Sequence, residues 1–199
     1  MSEDDSPKEE DFYTEERWNN WMNRISEEDF DPEGDDGALL FFNLQDDITI
    51  ACANAVERFD DGTLDAEECL EEINKIREIV MEETTFSDDD KSMMLEGVQT
   101  SLIGVFASCE AYLANGGGPD ADAPIDEYVA EAADAEMEDD MDRALGLVSE
   151  AGAMIIDGED FDADELDVDV EYGFVSEWIN GLDSLEDAVS GPEMIEDDD

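Results

Sequence analysis

The sequence predicts an all-α protein: an antiparallel bundle of about four helices with a C-terminal helical extension. Two observations carry this. Apolar residues recur at i, i+3, i+4 and i+7 through most of the chain, and period-two strand patterns are nearly absent. A third feature sets the environment. The chain carries 63 Asp plus Glu against 8 Lys plus Arg, a formal charge of −55, while 41% of its residues remain hydrophobic. Such a charge drives a compact state apart in dilute buffer, and high charge with low hydrophobicity signals disorder. Here the apolar residues are patterned, so the charge reads as adaptation to molar salt, where the Debye length is roughly 3 Å at 1 M.

Each element follows from local signals. Residues 1–11 are an acidic lead without period, expected to be disordered. Thr14, followed by Glu15 and Glu16, starts the first helix, whose apolar face is Trp18, Trp21, Met22 and Ile25. Pro32 and Gly34 place a loop over Glu27–Gly37. The second helix runs over Ala38–Phe59 on the stripe Leu40, Leu44, Ile48, Ala51, Ala55 and Phe59, and Gly62 closes it. Asp65 with Glu68 is a capping box, and Leu64 with Cys69 a hydrophobic staple, for a third helix reaching Val80. Its Glu71 and Lys75 form an i,i+4 pair. Ser87 caps a fourth helix running to Asn115, apolar over much of its circumference, with small Gly97, Gly104, Ala107 and Ala111 that allow close helix approach.

Asn115 to Pro119 is the strongest break, so residues 12–115 read as the bundle core and 116–123 as a Gly/Pro/Asp hinge. Beyond it, 124–190 is a C-terminal helical region: one long helical stretch from Pro124 to Ile156, a stop at Gly158, an acidic loop over 159–169, a helix over Val170–Leu182 and a short turn over Leu185–Val189. Residues 191–199 form an acidic tail.

Composition narrows the chemistry. There is no histidine, which removes Ser-His-Asp and Cys-His catalysis and His-ligated zinc. Cys52, Cys69 and Cys109 are odd in number and widely spaced, so they read as buried hydrophobes rather than a disulfide or zinc framework. Residues 92–199 contain one basic residue, Arg143, which argues against direct nucleic-acid binding and against anionic membranes. No run of 18 apolar residues exists for a membrane span, and no apolar leader follows Met1, so a cytoplasmic location is expected.

Four groups of residues are candidates for function. Asp160, Asp162, Asp164 and Glu171 imitate the spacing of a calcium loop, but Glu165 stands where glycine belongs and Asp167 where an apolar residue belongs. In a chain this rich in Asp such a triple arises by chance, so no metal and no cofactor is assigned. Asp46, Asp47, Glu96 and Glu110 lie within apolar patterns, where burial could tune a carboxylate; as solvated helix flanks they carry no chemistry. Gln99, Thr100 and Ser101 interrupt the fourth helix, as a structural hydrogen-bond network or as one wall of a polar pocket. Arg17, Trp18, Trp21 and Arg24 concentrate hot-spot residue types on the first helix, the alternative being that both tryptophans pack on the bundle.

Phe12 to Trp18, Leu44 to Asp47, Ile76 to Val80 and Gly97 to Leu102 together resemble an uncharacterised family of small acidic haloarchaeal proteins, a domain of unknown function. The resemblance spans about residues 12–115 and implies no activity and no catalytic residue. The function expected is a non-enzymatic protein-interaction or regulatory subunit acting through a protein partner or self-association. The alternative is a carboxylate-based enzyme or a helical protein binding a small ligand or cation. The charge makes one prediction: dialysis from molar KCl into low salt abolishes the helical far-UV circular dichroism. Unchanged helicity in low salt would contradict salt adaptation.

Overall fold

The computed structural model describes residues 11–28, 35–163, 166 and 172–191. Among these, seven α-helices and no strands occur: α1 Glu15–Glu27, α2 Asp35–Asp60, α3 Ala66–Val80, α4 Asp89–Ala114, α5 Ile125–Met137, α6 Met141–Ile156 and α7 Phe174–Ser190. The expected lead and tail fall outside the described residues but for their edges, as do most of the Glu27–Gly37 loop and the Val170 helix start.

The local signals act as their chemistry requires. The Thr14 hydroxyl accepts from Arg17 N at 3.2 Å. Asp65 accepts from Glu67 N and Glu68 N while the Glu68 carboxylate accepts from Asp65 N at 2.9 Å, so three backbone amides are satisfied at the helix start. Gly62 takes φ +77°, which turns the following Thr63 and Leu64 amides back to the Arg58 carbonyl.

Other signals resolve differently. Asp88, not Ser87, caps α4, accepting from Asp90 N at 3.0 Å. Lys75 pairs with Glu72, one turn earlier, rather than with Glu71. The stretch from Pro124 to Ile156 is two helices. Asp139 adopts φ +60° between α5 and α6, a left-handed position that Asp tolerates better than most residues, and Asp140 then caps α6 by accepting from Arg143 N. The expected turn over Leu185–Val189 belongs to α7, because Trp178, Leu182 and Leu185 continue one buried stripe.

Packing is organised around α4, whose largest interfaces are with α6 and α7; α2 and α3 also pack on it. The C-terminal helices are therefore part of the core rather than appended to a four-helix unit. Close approach depends on side chains that are missing or small. A Cβ on Gly104 would lie 3.0 Å from Trp178 Cβ, one on Gly152 of α6 would enter the Ser108 side chain, and one on Gly181 of α7 would enter the Ser101 carbonyl. Gly97 faces open space instead, while Ala107 and Ala111 are only half-buried. The three cysteines are fully buried and unpaired.

Helix α7 is anchored at its start by Glu136 of α5, whose carboxylate accepts from Phe174 N at 2.7 Å and Val175 N at 3.2 Å. A carboxylate on two free amides at the positive end of a helix is a favourable arrangement.

The crossing geometry makes a contrast testable. Gly181→Ala forces α7 away from an unyielding backbone carbonyl, and overpacking of this kind costs roughly 1–3 kcal/mol. Gly146→Ala, with nothing within 4 Å of the new methyl, removes a helix-interior glycine and stabilises by roughly 0.5–1 kcal/mol. Denaturant unfolding in molar KCl reads both; equal effects of the same sign would refute the packing described.

Candidate functional site

A groove with open apolar surface lies between α2, α4 and α7, with a volume of about 660 Å³. Phe41 and Val98 form its floor, Phe42 and Ala38 one wall, and Met93 and Phe174 stand at its rim. The groove exists because α4 presents glycine at 97, where a Cβ would meet only Glu177 Oε2 at 3.9 Å. Its inner end is closed by buried Gln45, whose amide donates to the Asn180 carbonyl at 3.1 Å. Nearby, Ser184 donates to Asp46 at 2.6 Å, so α2 and α7 are pinned together beneath the groove. The walls remain in solvent: Phe42 is 55% exposed, Met93 65%, Phe174 54% and Tyr172 91%. Asp90, Glu96 and Glu177 are its charged lining residues.

The polar triplet of α4 divides. Thr100 and Ser101 line the groove, but each hydroxyl donates back to the carbonyl four residues earlier, Glu96 at 2.8 Å and Gly97 at 3.1 Å. Gln99 points elsewhere, donating to the Val80 carbonyl at 2.8 Å and the Glu82 carbonyl at 3.4 Å, so it satisfies the C-terminus of α3.

The first helix is fastened to the fold by its own candidate residues. Trp18 is buried among core side chains. Arg17 and Trp21 both donate to Asp47 of α2, Arg17 through Nε at 2.9 Å and also through Nη2, and Trp21 through Nε1 at 2.8 Å. Arg24 lies over the Trp21 ring at 5.4 Å from its centroid, and Arg17 over the Tyr13 ring at 5.2 Å. Buried Lys91 of α4 donates to the Ser26 and Glu28 carbonyls at 3.3 and 2.6 Å, a cation at the negative end of α1.

Of the four carboxylates inside apolar patterns, Asp46 and Asp47 are held as above and Glu110 pairs with Arg77; Glu96 alone faces the groove. Among the described residues no cluster of three or more metal-ligating side chains converges. Asp164 and Glu171 of the calcium-like spacing lie outside those residues. No helix among them is long and apolar enough to cross a membrane.

Helices α2, α3 and α4 bring Cys52, Cys69 and Cys109 close enough to influence one another's ionisation, which spacing alone did not reveal. Burial, reinforced by neighbouring negative charge, pushes Cys69 up to about 11 and Cys109 to about 12, and Cys52 well above the ordinary 9. Burial likewise pushes Tyr112 up to about 12, with Asp60 accepting from its hydroxyl at 3.1 Å. These groups are poor nucleophiles at neutral pH.

The fold and groove define an all-helical protein with an exposed apolar trough and no assembled catalytic constellation among the described residues. The chain belongs to a family described as an uncharacterized protein conserved in archaea (DUF2150), whose model matches residues 11–198. The match continues through the C-terminal helices, beyond the 12–115 region of the resemblance. No curated protein and no solved structure matches it.

The raised thiol and phenol values fix an alkaline limit. Groups held protonated in the native state release protons first in the unfolded chain, so their contribution is complete below about pH 9 and is lost as pH climbs through 9–12. Unfolding free energy should fall over that window, and an aromatic disulfide reagent at pH 8 should titrate the thiols only after denaturant is added. Rapid native-state labelling would contradict the burial.

Proposed function

We propose that this protein is a non-enzymatic interaction or regulatory subunit of a salt-adapted, haloarchaeal cytoplasm, and that its working surface is the α2–α4–α7 groove. The observation that carries the reading is Phe42, Met93, Tyr172 and Phe174 standing exposed around one groove, whereas the other exposed large apolar residues among those described, Leu39, Ile50, Ile103 and Met137, do not line it. Contiguous apolar surface on a soluble domain marks a binding site. Molar salt strengthens apolar association while it screens charge, so an apolar docking surface suits such a medium.

The α1 residues take a supporting role in this reading. Trp18 holds α1 in place from within, and the Arg24–Trp21 edge offers a secondary contact to a bound partner. Substituting Trp18 therefore probes stability before it probes binding. A small-ligand site is the second reading, favoured by the groove volume, which falls within the roughly 300–1,000 Å³ of ligand pockets.

Phe42→Gln with Met93→Gln removes the apolar walls at positions more than half exposed, using a residue that favours helix. Wild type and this variant, each affinity-purified in molar KCl, should differ in one stoichiometric protein, retained by wild type and lost by the variant. Equal recovery would move the working surface off the groove. A non-protein adduct in native mass spectra, lost in the variant, would instead establish the small-ligand reading.

A further inference from the structure

We infer that the groove's occupant is a helical segment of a protein partner that carries a row of apolar side chains flanked by lysine or arginine. This rests on the groove being the working surface and goes on to specify its ligand.

The shape argues for a segment rather than an enclosed molecule. Sites for small molecules bury most of the ligand's surface, whereas Phe42, Met93 and Phe174 are each more than half exposed beside the cavity they form. A molecule seated on the floor at Phe41 and Val98 would leave these walls wet. A helix laid along the trough would place one side chain over the floor and cover the walls with the next turns, the mode in which anchors at i, i+3, i+4 and i+7 are read. Met93 and Met94 supply adaptable side chains suited to such a surface.

The charge argues for basic flanks. Asp90, Glu96 and Glu177 line the groove, and among the described residues no Lys or Arg does. The chain's described cations are engaged elsewhere: Arg17 on Asp47, Arg24 on the Trp21 ring, Arg58 on Asp61, Lys75 on Glu72, Arg77 on Glu110, Lys91 on the α1 carbonyls and Arg143 on Glu131. Among the described residues no cation of this chain neutralises the groove, and in this proposal the partner supplies that charge. A second copy would bring a further formal −55 and the same engaged cations, so it matches the rim poorly. Carboxylates beside an apolar floor also discriminate, because an acidic segment meets like charge at close range.

Three fluorescein-labelled amphipathic peptides test this against the full-length protein by anisotropy in molar KCl. One has leucines at i, i+3, i+4 and i+7 with lysines between; the others replace the lysines by glutamates or the leucines by serines. The leucine/lysine peptide should bind saturably, and both counterparts at least about tenfold more weakly. Phe42→Gln with Met93→Gln should weaken it by a similar factor. Glu96→Gln with Glu177→Gln, on the solvent side of the same groove, should narrow the gap between the lysine and glutamate peptides. Equal binding of those two peptides to wild type, lost in the Phe42/Met93 variant, would overturn the basic partner while leaving the groove reading intact. Peptide binding that neither variant alters would overturn both. A wild-type dimer in sedimentation that Phe42→Gln with Met93→Gln dissociates would assign the groove to a second copy and overturn the inference.

Discussion

Helix α4 is buried by neighbours on most of its circumference, and that can happen only if several helices approach it closely at once. Two of those approaches are set by glycines on the incoming helices. Gly152 of α6 sits against Ser108, and Gly181 of α7 against the Ser101 carbonyl. The approach of α7 is also set on α4 itself, where Gly104 receives Trp178. Ser101 and Ser108 turn their hydroxyls back to Gly97 and Gly104, so both serines are satisfied within α4, whereas the buried indole Nε1 of Trp178 has no hydrogen-bond partner among the described residues. The groove follows from the same design, because glycine at 97 occurs where no helix fills the space.

Charge works through scarcity. Four of the seven described cations join different helices: Arg17 ties α1 to α2, Lys91 ties α4 to α1, Arg77 ties α3 to α4 while lying over the Phe106 ring, and Arg143 ties α6 to α5. Exposed pairs contribute little individually. Their placement matters more, since each cation sits where two helices present negative groups or carbonyls to one another.

Elements with strong end signals were legible from sequence. Asp65 with Glu68 located α3, Gly62 closed α2, and Thr14 opened α1, because each is a short-range hydrogen-bonding device. The break between α5 and α6 was missed since Asp139 takes a left-handed conformation with neither Gly nor Pro to announce it; Asp140 three residues before Arg143 was the available signal. The role of α6 and α7 was missed for another reason. A glycine inside a helix carries no packing signal in sequence, and only the α4 partners of Gly152 and Gly181 show that they are contact points. Half of the candidate site was visible. Thr100 and Ser101 lie in the groove, but Phe42, Met93 and Phe174 were not among the candidates, because periodicity places a side chain on a face and does not say whether another helix covers that face.

If α4 organises the whole chain, its partners should open only when it does. Amide hydrogen exchange followed across a denaturant series in molar KCl measures this directly. Slowly exchanging amides of α4, α6 and α7 should converge on one unfolding free energy. Exchange of α7 through a separate, lower-energy opening while α4 stays protected would contradict a shared core.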